Sequence, residues 1–432
     1  MMPLFSEIVR LQAQRGPLDL SSVLDQLNAR IAGSDVMLRW GIVGVENGEL
    51  LVEVAVLRDA PVPDGGPASY AALPNVPGVR VAIVVPTGVG AAIGGFIGDA
   101  GPVAHAFEAV ADQVLVHPNV VNGAGMYGGG PNSIYVDGYS LDQFFAHSVR
   151  LLQRRHKIGV LLDRVREDQT VALLNAVDAM RSVFGIDVCG YCITDDAVGG
   201  EVARSDYGHF VGRVRRPDLL FDGARRLAAE GATAIAVATL ITGVSDDDVR
   251  RHYAADSEQC NPVGSTEALI SRFVTWSTGL PCAHAPIFAG ALGDGRNRVD
   301  PRAAAEVSSQ TGFPCILRGL AKAASRSDGL GLGISDLAAV VVPYDCVGGP
   351  PALGARMAGV PLLAVKQNRS AVGISARSLD ARGVVVVENY AEAIGFVACL
   401  RAGVAWETVA RPLEAVRDVS ASTTKALAST DG

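Results

Sequence analysis

Arg80-Val-Ala-Ile-Val-Val-Pro-Thr-Gly-Val-Gly-Ala-Ala-Ile-Gly-Gly-Phe-Ile-Gly-Asp99 is the stretch from which the fold is read. Five apolar residues, 81–85, spell a buried strand. They run into a loop holding Gly88, Gly90, Gly94, Gly95 and Gly98, closed by Asp99. Glycine lets backbone N–H groups come close to another backbone or to a ligand, where a β-carbon would block them. In α/β proteins ligands sit outside the carboxyl ends of strands. Thr87, Gly88, Gly90, Gly94 and Gly95 are therefore candidate substrate-binding residues.

Residues 81–98 run for 18 positions without a charge, long enough to be weighed as a membrane span. Pro86 and the five glycines argue instead for a strand and a loop inside a folded domain. Working outward, strand-like runs recur at 113–116, 158–162, 188–193, 234–240, 337–342, 361–365 and 384–387. Amphipathic helices fall between several of them. One carries Leu173, Val177, Met180 and Phe184 on one side and stops at Gly185; another starts at Asn389 with Glu392 three residues on and ends near Gly403. Short apolar strands alternating with helices predict an α/β fold: mostly parallel sheet covered by helices, in two Rossmann-like lobes.

Residues 1–75 read as a separate, small α+β N-terminal domain. Helical patterns at 4–14 and 22–32 precede a hairpin, 36–45 and 49–57, turned at Asn47-Gly48. The Pro/Gly-rich stretch 60–67 reads as a linker or exposed loop. The remaining chain divides into a glycine-loop lobe, 76–205, and a second α/β lobe, 206–432. The 432 residues are 49% hydrophobic and 19% charged, a globular composition with ample core. A net charge of −8 argues against a nucleic-acid surface. Seven scattered cysteines and an N-terminus without a secretion pattern predict a cytoplasmic protein. The apolar content predicts a homo-oligomer, and the expected partner is a small-molecule substrate, with no membrane.

Several strand ends deliver chemistry. His117, Asn119 and Asn122 follow the 113–116 strand, offering an imidazole and two amides in one place. Asp137 follows another short strand, so Asp99, His117 and Asp137 all stand at strand ends; Asp99 is also a candidate N-terminal cap. Asn261 and Gly264 open a helix whose N–H groups suit an anion, with Glu267 in its first turn. Cys282 and His284 share one face of an extended segment, as a nucleophile and base or as two metal ligands. The stretch Val342 to Pro361, with its Gly348-Gly349 turn, resembles the sugar-nucleotide lobe of some glycosyltransferases. Lys366, Asn368 and Arg369 beyond it are a candidate anion contact. A dinucleotide fingerprint at Gly88-x-Gly90-x-x-x-Gly94 is one residue too long, and Pro86-Thr87 interrupts the strand-to-helix turn. A nicotinamide or nucleotide cofactor is thus the lesser reading.

Taken together, residues 86–95, Gly98-Asp-Ala100, His117-Pro-Asn119 with Asn122-Gly123, Asn261-Pro262 with Glu267-Ala268, and Ala283-His-Ala-Pro286 resemble one bacterial family. It is the domain of unknown function numbered thirty-three twenty-six. The resemblance spans Val81 to Gly403 and implies that this region is one unit; it implies no activity.

The residues themselves point to an enzyme acting on a small anionic, amide or carbonyl-bearing metabolite by His/carboxylate acid–base chemistry, of hydrolase or lyase type. His117, His284, Asp99, Asp137 and Cys282 are its candidate catalytic residues, with a divalent metal weighed as an assistant. Asn119, Asn122, Asn261, Gly264 and Glu267 join the glycine loop as candidate substrate contacts. A nucleotide-dependent oxidoreductase or transferase, and a non-catalytic ligand-binding protein, are the alternatives.

Overall fold

Arg80–Ile83 forms a buried strand in the middle of a six-stranded sheet. The computed structural model describes residues 4–12, 20–31, 35–58, 78–123, 125–206, 209–254, 260–287, 299–308, 311–379, 383–413 and 415–416. The sheet runs in the order Val384–Val387, Leu362–Val365, Ala339–Pro343, Arg80–Ile83, Gln113–Val116, Ser133–Tyr135, and every pairing is parallel. Its side chains divide by the two-residue period of a strand. Val81, Ile83, Val341 and Leu363 enter one apolar cluster, while Ala82, Val340, Val342 and Leu362 enter another on the opposite face. That explains why these strands read as unbroken apolar runs.

A second, nine-stranded sheet is mixed. Val188–Ile193, Ile158–Leu162, Ala234–Thr242 and Cys282–Ile287 lie parallel. Ala234–Thr242 is long enough to pair also with Gly200–Arg204, at its far end. From there the sheet continues antiparallel through Phe210–Val214, Leu4–Gln12, Glu49–Leu57 and Val36–Glu46. The α/β class is as expected.

The chain division is not. Leu4–Gln12 is a strand, not a helix. Leu4 pairs with Val214 on one side and Leu57 on the other, so pairing from both edges overrides a pattern of apolar residues that also fits a helix. The N-terminal strands therefore extend the nine-stranded sheet and do not stand apart. Strand pairing also crosses the expected boundary at 205: the six-stranded sheet joins residues 80–135 to 339–387, whereas residues 158–287 build on the N-terminal strands. The Pro/Gly-rich stretch 60–67 lies outside the described residues.

Local signals held elsewhere. Asn47 (φ 51°) and Gly48 (φ 79°) both take the left-handed conformation that a tight hairpin turn requires. Glu167–Phe184 ends on Gly185 at φ 63°, and the Asn389 side chain accepts from Glu392 N–H to start Tyr390–Ala402.

Leu4, fully buried beside Val214, Leu57 and Phe273, reports on this integration. Leu4→Ala should cost about 2–5 kcal/mol in a single cooperative unfolding transition followed by denaturant. A separate early transition, with the rest of the chain unaffected, would show the N-terminal strands to be an independent unit.

Candidate functional site

The parallel strands of the six-stranded sheet end at a common edge, and a cavity of about 190 Å³ lies outside it. Thr87, His117 and Gly348 reach it beyond the strand ends. The facing wall comes from the other sheet: Glu267 and Arg272 on the helix Gly264–Thr278, and His284 on the strand Cys282–Ile287. The site is thus a seam between two sheets, at the strand ends where α/β proteins place ligands.

The glycine-rich stretch serves this seam by packing. Residues 84–100 form turns, and the next helix, Gly101–Glu108, starts only after them. The direct strand-to-helix turn that would hold a dinucleotide pyrophosphate is not formed. A β-carbon on Gly98 would fall 2.6 Å from the Asn122 carbonyl oxygen, and one on Gly264 would fall 3.0 Å from Gly88 Cα. Of Thr87, Gly88, Gly90, Gly94 and Gly95, Thr87 lines the cavity and the four glycines do not; they shape the backbone. Gly264 likewise meets Gly88 and does not line the cavity.

Asn119 holds the loop closed, donating to the carbonyls of Val85 and Gly94, each at 2.9 Å. Asn368, read as an anion contact, does the same from the other side: it accepts from Ile93 N–H at 2.8 Å and donates to the Ile93 carbonyl at 2.9 Å. Asn261 lines the cavity and accepts from Val263 N–H at 3.0 Å, forming the turn before the helix.

His117 faces the cavity but is no base. Its Nε2 accepts from Val85 N–H at 3.2 Å, which leaves the proton on Nδ1. Burial, with the Arg272 charge nearby, pushes it down to about 3, so the ring is neutral and can only donate. Asn122 donates to the Tyr135 hydroxyl at 3.1 Å, while its buried Oδ1 meets no partner among the described residues.

Three candidate catalytic residues lie off the cavity lining. Asp137 is a helix cap, its Oδ1 accepting from Tyr139 and Ser140 N–H at 3.1 and 3.0 Å, and burial raises its carboxyl. Cys282 is packed among Leu269, Phe273 and Val274, and burial pushes its thiol well up, which removes the thiolate a nucleophile needs. Asp99 does not cap the next helix. Its Oδ1 accepts from Gly94 N–H at 2.5 Å, inside the loop, and burial raises it to about 7.

What does converge is a pair of carboxyl groups. Glu267 Oε2 lies 3.3 Å from His284 Nδ1, whose Nε2 lies 2.9 Å from the Thr239 hydroxyl. Glu267 Oε1 is buried and meets no partner among the described residues. Glu306, on the short helix Ala304–Val307, also lines the cavity. It accepts from Ile97 N–H and, at 2.9 Å, from the Tyr253 hydroxyl. Burial, helped by the nearby charges of Glu267 and Asp99, raises Glu306 to about 7. Glu306, Tyr253, Thr239 and Arg272 carried no motif in the sequence. Among the described residues no three His, Cys, Asp or Glu side chains converge on one point.

The raised Glu306 carboxyl has a signed consequence for stability. Its folded form holds a proton more tightly than the unfolded chain does, so its stabilisation is complete below about pH 4.5 and is lost as pH rises through 7. Glu306→Gln keeps the neutral shape. Relative to the parent, its stability should therefore rise between pH 5 and 7, by at most about 1.4 kcal/mol per pH unit. Denaturant titrations at several pH values check this; a pH-independent difference would remove the shift.

Comparison with known proteins places these residues. A family described as Protein of unknown function (DUF3326) matches residues 80–410. An uncharacterized lipoprotein from Synechococcus sp. (strain ATCC 27144 / PCC 6301 / SAUG 1402/1) is 36% identical over 338 residues, 74% of this chain and 90% of that protein. That relative's name overturns the expectation of a cytoplasmic protein, since a lipoprotein is anchored to a membrane. Among the described residues no helix is long and apolar enough to cross a membrane. The crystal structure of the nicotinate-nucleotide-dimethylbenzimidazole phosphoribosyltransferase from Thermus thermophilus aligns at 14% identity and a TM-score of 0.14, covering 59% of this chain and 87% of that one. A likeness that slight carries no argument. The motifs around the glycine loop, His117 and His284 fall inside the matched region, and the chain belongs to the DUF3326 family of proteins of unknown function.

Proposed function

We propose that this protein is an acid–base enzyme of hydrolase or lyase type, acting on a small amide- or carbonyl-bearing metabolite held in the cavity between the two sheets. One observation carries the reading: two buried carboxyl groups, Glu267 and Glu306, line the same cavity in different surroundings. Paired carboxyls in unlike environments divide the roles of acid and base. Glu267, oriented through His284 and Thr239, would take a proton from the substrate or from a water. Glu306, at about 7, is half protonated at neutral pH and would return one. His117, held neutral, would donate from Nδ1 to a carbonyl oxygen as charge develops there.

A panel of small amides, esters and hydroxy or amino acids, assayed with the parent and variants, tests this. Glu267→Gln and Glu306→Gln should each lower kcat/KM by about 10²–10⁴-fold. Cys282→Ala, away from the cavity, should keep turnover near the parent's. Full turnover in both glutamine variants would overturn the acid–base reading.

A further inference from the structure

One wall of the cavity comes from the N-terminal part of the chain. Residues 39–43, in the middle of the strand Val36–Glu46, all line it, and they lie before residue 80, where the family match begins. The strand is fixed on both sides of the seam. Ile42 N–H donates to the Gly348 carbonyl at 3.1 Å. Glu53, opposite Gly41 in the strand register, accepts at 3.2 Å from the Ser265 hydroxyl on the helix Gly264–Thr278.

Gly41 is the residue in this wall that the fold does not explain. Its backbone is not in the left-handed region that favours glycine. Glycine inside a strand weakens it and marks places where another backbone or a ligand comes close. No backbone comes close here: a β-carbon on Gly41 would meet nothing within 4 Å. Gly138, Gly348 and Gly349, also on the lining, are each hemmed in by the protein itself. A β-carbon would fall 2.7 Å from Arg272 Nη1 at Gly138, 2.8 Å from Ile42 Cβ at Gly348 and 3.7 Å from Pro351 Cδ at Gly349.

The open space beside Gly41 belongs to a covered face of the strand. Side chains alternate along a strand, so one at position 41 would stand on the side of Arg39 and Val43. On that side the Arg39 and Glu53 side chains, 3.5 Å apart, are only 17% and 13% exposed. Arg39 is already paired with Glu53 and Val43 is apolar, so the space suits an uncharged group. We propose that Gly41 is a specificity-determining residue: the space left by its missing side chain seats an uncharged, non-reacting tail of the substrate. The inference rests on the cavity being the substrate site.

The probes are acetamide, butanamide and hexanamide, added to the full chain and to its Gly41→Ala and Gly41→Leu variants. Without any probe, Gly41→Ala should keep or slightly raise the unfolding midpoint, because its β-carbon enters open space and restricts the unfolded chain. In the parent, affinity should grow about fourfold for each methylene that enters the seat. Hexanamide at tenfold its Kd should raise the parent's midpoint by about 1–2 °C. Gly41→Leu should weaken hexanamide binding about tenfold or more and leave acetamide, which has no tail, unchanged. Gly41→Ala fills less of the space and should weaken hexanamide by less, which keeps the test open if Gly41→Leu fails to fold.

A midpoint lowered by Gly41→Ala would show that the fold itself needs the glycine and would overturn the assignment. Hexanamide binding equally to all three proteins would overturn it too, while leaving the cavity as a binding site. No shift with hexanamide in the parent, or equal losses of acetamide and hexanamide in Gly41→Leu, would remove the seat. The two glutamine variants separate this from the acid–base reading. Turnover lost in them, with hexanamide indifferent to residue 41, would keep the chemistry and sink the seat; selective loss of hexanamide, with full turnover in both glutamine variants, would do the reverse.

Discussion

The cavity depends on one close approach, that of the Gly88 backbone to Gly264. A β-carbon at Gly264 would sit 3.0 Å from Gly88 Cα, so neither sheet could come as near with an ordinary side chain in the way. Asn119 and Asn368 then hold the loop on the six-stranded side in shape through backbone carbonyls and N–H groups. With the loop held this way, Thr87 and His117 face a helix from the other sheet across the cavity. Glycine here gives proximity between two parts of the chain, and the ligand-facing atoms are supplied by other residues.

The seam also sets the electrostatics. Burial is the largest cause of every shift that matters at the site: upward for Glu306 and Asp99, downward for His117. Water-poor surroundings disfavour whichever form carries charge, so the carboxyl groups hold protons and the imidazole loses its own. The result is a cavity whose His117 is neutral and donates and whose Glu306 exchanges a proton near neutrality.

Much of the fold was legible. Apolar runs, Gly185, Asn47-Gly48 and the Asn389 cap are local signals, and local structure obeys them. The site was legible only in part: His117, Asn119, Asn122, Asn261, Glu267, His284 and Thr87 reach the cavity, His284 from within its strand and the others from beside strand ends or helix starts. Asp137 and Cys282 stand in the same kinds of position, yet one caps a helix and the other fills a core. Position along a strand does not say which face turns toward open space. Glu306 sits in Asp300-Pro-Arg-Ala-Ala-Ala-Glu306, a stretch whose composition gives no hint that its carboxyl will be buried beside Tyr253.

By itself the amino-acid order determined the α/β class, the apolar strands of the parallel sheet, the helix stops and the family motifs, because each depends on neighbours within a few positions. Only the tertiary structure decided that Leu4–Gln12 is a strand inside the nine-stranded sheet and that each sheet is built from distant segments. It alone paired Glu306 with Glu267 across one cavity. Those outcomes depend on hydrogen bonds, burial and charge between residues far apart in the chain, which no local pattern encodes.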